Sequence, residues 1–179
     1  MIADIPQELY SSYCDKHVID SVYNECRRMA AEDYPADADA GADYCLADWA
    51  YGVSLLDLSA YSLEKALKKE PSDMILRADC LSLASAVARL KGNLSAAIKY
   101  AEECLIIDRR NGNEEYISSS LNNIAGLYMT HGDAVTARKY IDEAIGLERK
   151  LGRRAYLAIR YGVASEIYLK LGETAHALE

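Results

Sequence analysis

The sequence predicts an all-α protein built from stacked helical hairpins. The main observation is a repeat, because Gly92, Gly132 and Gly172 stand 40 residues apart. Each glycine follows a pair of mostly small residues by seven positions and precedes an alanine by five. The second observation is composition, since only 3 of the 179 residues are proline. A fixed period of this length is typical of repeat architectures, and scarce proline favours helices.

The composition also limits what the chain can do. A net charge of −8 argues against direct nucleic-acid binding, because phosphate recognition needs clustered Lys and Arg. The 5 cysteines include no C-x-x-C pair, which favours buried single thiols over a disulfide framework or a zinc site. No apolar run is long enough for a transmembrane helix, and no signal-peptide pattern begins the chain. We therefore expect the cytoplasm by default, with the periplasm as the alternative for a chain whose signal peptide was removed.

Residues 1–41 are predicted to form an N-terminal helix and a loop. Apolar residues recur near the helical period from Pro6 to Glu32, and proline suits a first helical turn. The segment 33–41 is rich in Asp, Pro and Gly, which predicts a loop. Residues 42–71 are predicted as a degenerate hairpin with helices over 43–51 and 57–69, and Pro71 ends the second helix.

The remaining residues are predicted to form two full hairpins and one truncated hairpin. Residues 72–112 carry helices over 72–91 and 94–109, and residues 113–152 carry helices over 113–131 and 134–150. Residues 153–179 carry one helix over 153–171 and a short piece after 174. Asn93 and Asp133 stand where a side-chain oxygen can cap the following helix. We expect Gly132 to be required sterically in its hairpin turn, so that Gly132→Leu unfolds the domain.

One repeat has the pattern of a known motif. The residues Leu121-x-x-Ile124-Ala125-x-x-Tyr128-x-x-x-Gly132-Asp133-x-x-x-Ala137-x-x-Tyr140-x-x-x-Ala144 resemble a tetratricopeptide repeat (TPR). The period exceeds the usual length of about 34 residues. It is similar to the long-repeat subclass found in kinesin light chains and in bacterial TPR-containing sensors and regulators. The resemblance is strong over residues 72–179, weaker over 43–71 and absent before.

The resemblance implies a right-handed α–α superhelix and a function. A protein- or peptide-binding module, as a fragment of a larger signalling or regulatory protein, is the first hypothesis. A structural or self-association spacer of a larger sensor or scaffold, with no ligand in the groove, is the second.

The resemblance also implies that the first helix of each hairpin lines a concave groove. The groove residues expected on this basis are Asp79, Ser82, Arg89, Asn122, Asn123, Gly126, Met129, Gly162, Glu166 and Lys170. Side-chain amides both donate and accept, so Asn122 and Asn123 suit a peptide backbone, although bonding within the protein is the alternative. Gly126 and Gly162 would leave the groove floor open to a ligand, or else serve helix–helix contact.

Neither catalysis nor a cofactor nor a metal is predicted. The 3 histidines stand in no metal-ligand spacing, and the chain has no Gly-rich phosphate loop and no G-x-S-x-G motif. The truncated last hairpin is expected to expose apolar surface on Tyr161, Ala164 and Tyr168. Since repeat stacks need capped ends, we expect homodimerisation or fraying there.

Overall fold

The chain is helical throughout the computed structural model, which describes residues 5–10 and 15–173. These residues form a short 3-10 turn and eight α-helices, and they contain no strand. The elements are the turn Gln7–Leu9, α1 Lys16–Asp33, α2 Ala38–Gly52, α3 Leu56–Lys68, α4 Met74–Leu90, α5 Leu94–Asn111, α6 Glu114–His131, α7 Ala134–Leu151 and α8 Arg154–Lys170. The predicted all-α class of stacked helical hairpins is confirmed.

The chain divides into two compact units, residues 1–92 and 93–179. In the first unit, α2 packs against both α1 and α3, and α4 packs on α3 and also contacts α2. In the second unit, α6 packs against both α5 and α7, and α8 packs on α7 and also contacts α6. Each unit is therefore a layered stack in which consecutive helices are neighbours. The finer division into five sequence segments stays a prediction.

Glycines in the left-handed conformation mark the helix ends of the repeat. Gly112, Gly132 and Gly152 directly follow α5, α6 and α7, with φ of +71°, +95° and +69°. Gly92 and Gly172 have φ of +78° and +77°. Glycine takes this conformation without the strain that a Cβ would add. A helix-ending glycine therefore recurs every 20 residues. The prediction from sequence rested only on every second one, namely Gly92, Gly132 and Gly172.

The steric role expected for Gly132 is wrong. A Cβ built on this residue meets nothing within 4 Å, so the hairpin turn has room for a side chain. What favours glycine is its φ of +95°, a backbone conformation that other residues rarely adopt. The predicted caps are confirmed nearby, since Asn93 Oδ1 accepts from Ala96 N and Asp133 Oδ1 from Thr136 N.

The N-terminal prediction is also corrected. Residues 6–32 are not one helix, because Tyr10 is extended and α1 begins only at Lys16. Asp15 defines this start, since its carboxylate accepts a hydrogen bond from Val18 N at 3.1 Å. The predicted loop over 33–41 is shorter, because α2 begins at Ala38. The last predicted piece, after residue 174, lies outside the described residues.

Gly41 belongs to α2 and not to the predicted loop. It lies inside α2, where an added Cβ would stand 2.7 Å from Tyr34 Cδ2 and 3.1 Å from Ala30 Cβ. Only glycine lets α2 approach α1 this closely at that point. The glycine therefore serves helix packing here, whereas the sequence pattern indicated a loop.

Candidate functional site

The residues predicted to line a groove fall into two sets on three helices. Asp79, Ser82 and Arg89 lie on α4 in the first unit, where Asp79 is half-buried and the other two are exposed. The other seven lie on α6 and α8, which contact each other in the second unit. The face formed by the exposed sides of α6 and α8 is called the α6–α8 face below.

A buried ionic network holds α8 against its neighbours. Glu148 on α7 is fully buried and accepts hydrogen bonds from Ser118 Oγ at 2.6 Å and from Arg153 Nη2 at 2.7 Å. Arg160, only 4% exposed, lies 3.4 Å from the same Glu148 oxygen and 3.5 Å from Ser119 Oγ. Burial alone would raise the pKa of Glu148, but the hydrogen bonds from Arg153 and Ser118 lower it. The network therefore joins α6, α7 and α8 through one ionised carboxylate.

This network is not among the features predicted from the sequence, although the repeat contains a signal for it. Asp108 on α5 stands 40 residues before Glu148 and is also buried, at 5% exposed. It accepts a hydrogen bond from Ser120 Oγ at 2.6 Å. An acid at one repeat position, facing a serine of α6 in both cases, indicates a buried pair rather than a solvated charge.

Asn122 has an oxygen that nothing in the described residues satisfies. The side chain is half-buried, and its Oδ1 is fully buried without a hydrogen-bond partner. A buried polar atom left unpaired costs about 1–3 kcal/mol. Asn123, about 100° further around α6, is exposed. The two amides therefore differ, and only the oxygen of Asn122 is both buried and unpaired.

Two glycines leave space on the α6–α8 face. A Cβ built on Gly126 or on Gly162 meets nothing within 4 Å, so neither glycine is needed for close helix contact. The carbonyl of Gly126 accepts from Thr130 Oγ1 at 2.9 Å, and that of Gly162 accepts from Ser165 Oγ at 2.8 Å. Glycine inside a helix costs about 1 kcal/mol relative to alanine. In the described structure, neither glycine allows a close helix–helix contact that would offset this cost.

The other predicted residues on these helices have simple surroundings. Met129 is half-buried on α6, and Glu166 and Lys170 are exposed on α8. Neither charged side chain forms an ion pair within residues 5–10 and 15–173. Among the predicted residues, Glu166 and Lys170 thus supply one charge of each sign beside the open glycines.

Tyr156 on α8 is an aromatic residue that was not among the predicted site residues. Tyr156 is 46% exposed, and its ring lies 4.3 Å from the Arg153 guanidinium and 5.9 Å from that of Arg160. Arginines three residues before and four residues after a tyrosine lie on the same helical face. That spacing was the available signal for this cation–π arrangement.

The apolar surface predicted for the last helix is corrected in part. Tyr161 is 37% exposed as expected, but Ala164 is 1% exposed and therefore buried. Tyr168 is half-buried, and its hydroxyl donates to Asp142. The Tyr168 ring also lies 5.7 Å from the Arg138 guanidinium, so contacts with α7 cover part of this side chain. The large apolar residues exposed on α8 are Tyr156, Ile159, Tyr161 and Leu169.

Neither a cluster of metal ligands nor a membrane-spanning helix is found among the described residues. No group of three His, Cys, Asp or Glu side chains in the described ranges could hold a metal ion. Over the same ranges, every helix is too short or too polar to cross a membrane.

The comparisons with known proteins identify the fold. No protein-family model matches the sequence, and no curated protein matches it. The crystal structure of BtubC (BKLC) from P. vanneervenii is similar, with a TM-score of 0.77 and 23% identity over 88% of this chain and 67% of that one. The crystal structure of MamA is similar with a TM-score of 0.65 and 13% identity, over 91% of this chain and 84% of that one. At such identities the likeness concerns the fold, which is a TPR-like helical repeat.

Proposed function

We propose that this chain is a peptide-binding module, and that the α6–α8 face holds an extended peptide segment. The proposal starts from the TPR-like fold, which suggests a protein-interaction or scaffold module with protein partners. It adds the long-repeat subclass and a signalling or regulatory role, both of which the sequence resemblance implies.

The buried Oδ1 of Asn122 carries the proposal. An unpaired buried acceptor is costly. A small movement of the side chains that cover it would let a backbone N–H of a bound peptide reach and satisfy it. Amide rotation would exchange the oxygen for a donor nitrogen, which a peptide carbonyl would satisfy equally well. In either orientation, the amide offers one polar atom to a main chain without selecting a particular side chain.

The surroundings of Asn122 favour a peptide over a small polar ligand. Gly126 and Gly162 leave room for a backbone to approach the helices closely. Exposed Asn123 supplies a second amide, and Glu166 and Lys170 supply opposite charges that can select residues of the peptide. An extended segment is long enough to reach all of these groups.

Selection from a random peptide library on the immobilised chain tests the proposal. We expect Asn122→Leu to weaken the binding of the selected peptides at least tenfold. The variant chain should stay as stable as the wild type or become more stable. This combination is expected because leucine removes a buried polar atom that only the ligand satisfies.

A matched pair of glycine variants completes the test. Gly126→Leu should fill the floor and weaken binding, whereas Gly146→Leu on α7, where a Cβ also meets nothing within 4 Å, should leave binding unchanged. Peptides that bind Asn122→Leu and Gly126→Leu as tightly as Gly146→Leu would refute the assignment of this face.

A structural role through self-association is the second candidate. The exposed apolar side chains of α8 favour it, since Ile159 is 54% and Leu169 56% exposed. We propose a homodimer through α8 as the form that this role takes. Sedimentation should then show a dimer that Ile159→Lys converts into a monomer; a wild-type chain that is monomeric at high concentration would exclude it.

A further inference from the structure

Two cysteines lie one helical turn from a tight contact between α1 and α2. These helices are joined by a short turn, so they run antiparallel, and they are in close contact where Gly41 faces Ala30. Cys26 lies four residues before Ala30 on α1, and Cys45 lies four residues after Gly41 on α2. Each cysteine therefore lies about one helical turn from the contact, on the same side of it, and the two cysteines lie opposite each other.

The two side chains pack in the same core and are close enough to influence each other's titration. Cys26 is 6% exposed within the core formed by α1 and α2, and half-buried Cys45 packs against that core. Both are free cysteines.

We propose that Cys26 and Cys45 form a redox modification site, which a small disulfide such as oxidised glutathione converts reversibly into a disulfide bond between α1 and α2. Cys45 is the entry point because its side chain is the more accessible of the two. Cys26, opposite it and shielded from solvent, is the resolving thiol. The proposal is independent of any ligand on the α6–α8 face.

The exchange proceeds in two balanced steps. The Cys45 thiolate attacks one sulfur of the small disulfide, whose S–S bond breaks and releases the first small thiol. Cys26 then loses its proton, and its sulfur attacks the Cys45 sulfur of the mixed disulfide, which releases the second small thiol. Two protein thiols are oxidised, and one small disulfide is reduced to two thiols.

Electrostatics agree with this assignment, which rests on the accessibility of the two side chains. The neighbouring Cys26 thiol lowers the pKa of Cys45, and Cys45 together with burial raises the pKa of Cys26. The thiolate is the reactive form, so Cys45 attacks first. Burial raises the pKa of Cys80 to about 12, which keeps this cysteine a thiol. Cys104, on α5, instead contacts Asp108 and Ser120 at 3.7 Å.

Peptide mapping of the whole chain tests the site. The purified protein is incubated with excess oxidised glutathione, its remaining thiols are alkylated, and it is digested without reductant for mass spectrometry. Before alkylation we expect an intact chain about 2 Da lighter, and after digestion a linked peptide pair that contains Cys26 and Cys45 and separates on reduction. The wild-type map decides the question without any variant.

Two variants sharpen the result. Cys104→Ser should keep the linked pair, whereas Cys45→Ser should abolish it. A lasting glutathione adduct on Cys45 without the link, a link to Cys80, or no oxidation at all would overturn the proposal.

Discussion

Replacing Gly41 by alanine tests the reasoning about helix contact most directly. The new methyl group would stand 2.7 Å from Tyr34 Cδ2, 3.1 Å from Ala30 Cβ and 3.3 Å from Tyr34 Cγ. The Ala30 methyl is attached directly to the backbone of α1. One of the two Tyr34 atoms is Cγ, the ring carbon that is bonded to Cβ. Neither neighbour can move away by a rotation of its far end alone. The two helices must therefore separate or the tyrosine must change its position.

The size of the effect follows from two opposing terms. Alanine is favoured over glycine inside a helix by about 1 kcal/mol. Overpacking a well-packed contact costs about 1–3 kcal/mol, and two close neighbours favour the upper part of that range. We therefore expect Gly41→Ala to lower the free energy of unfolding by about 1–2 kcal/mol.

Urea unfolding followed by tryptophan fluorescence measures this change. Trp49 is the only tryptophan of the chain and packs against the core of α1 and α2, so its signal reports on the first unit. Gly52→Ala is the matched control, because Gly52 ends the same helix and a Cβ there meets nothing within 4 Å. The control should be neutral or stabilising. A Gly41→Ala protein as stable as the wild type would show that the contact is not sterically limiting.

Three further predictions concern helix ends and the buried network. Gly132→Leu should destabilise the second unit by about 1–2 kcal/mol without abolishing its helical circular dichroism, because only the backbone conformation is strained. Asp73→Ala should cost about 1 kcal/mol in urea unfolding, since this carboxylate caps two N–H groups of α4. The pKa of Glu148 is lowered in the folded chain, so its stabilisation is complete above the unfolded value of 4.5 and is lost as pH falls through the folded value. Unfolding curves at neutral and acid pH should therefore show Glu148→Gln losing less stability on acidification than the wild type; equal losses would contradict the assignment.

The features that the sequence predicted well are local. The helices from residue 72 onward begin and end within two residues of the prediction, because capping residues and helix-ending glycines act on adjacent backbone. Asn93 and Asp133 need only their own helix to form the predicted caps. Such signals are contained in a few consecutive residues and require no knowledge of the neighbouring helices.

The features that were missed depend on contacts between helices. Gly41 was interpreted as part of a loop because its role becomes visible only when Tyr34 and Ala30 lie against it. The Asn122 oxygen is likewise unpaired because no surrounding group of the described structure donates a hydrogen bond to it. The family resemblance suggested Asn122 as a groove residue, but no sequence pattern reports an unpaired atom.

The regular spacing of left-handed glycines has a consequence for how the chain can change length. Residues 113–152 begin at a capping asparagine and end at Gly152, so this block carries its own start and stop signals. Duplicating the whole block after Gly152 would create junctions of a kind the protein already contains. Adding a single residue inside a helix would instead rotate every later side chain by about 100° and turn the buried face toward solvent. Growth and shortening of such a protein should therefore proceed by whole blocks.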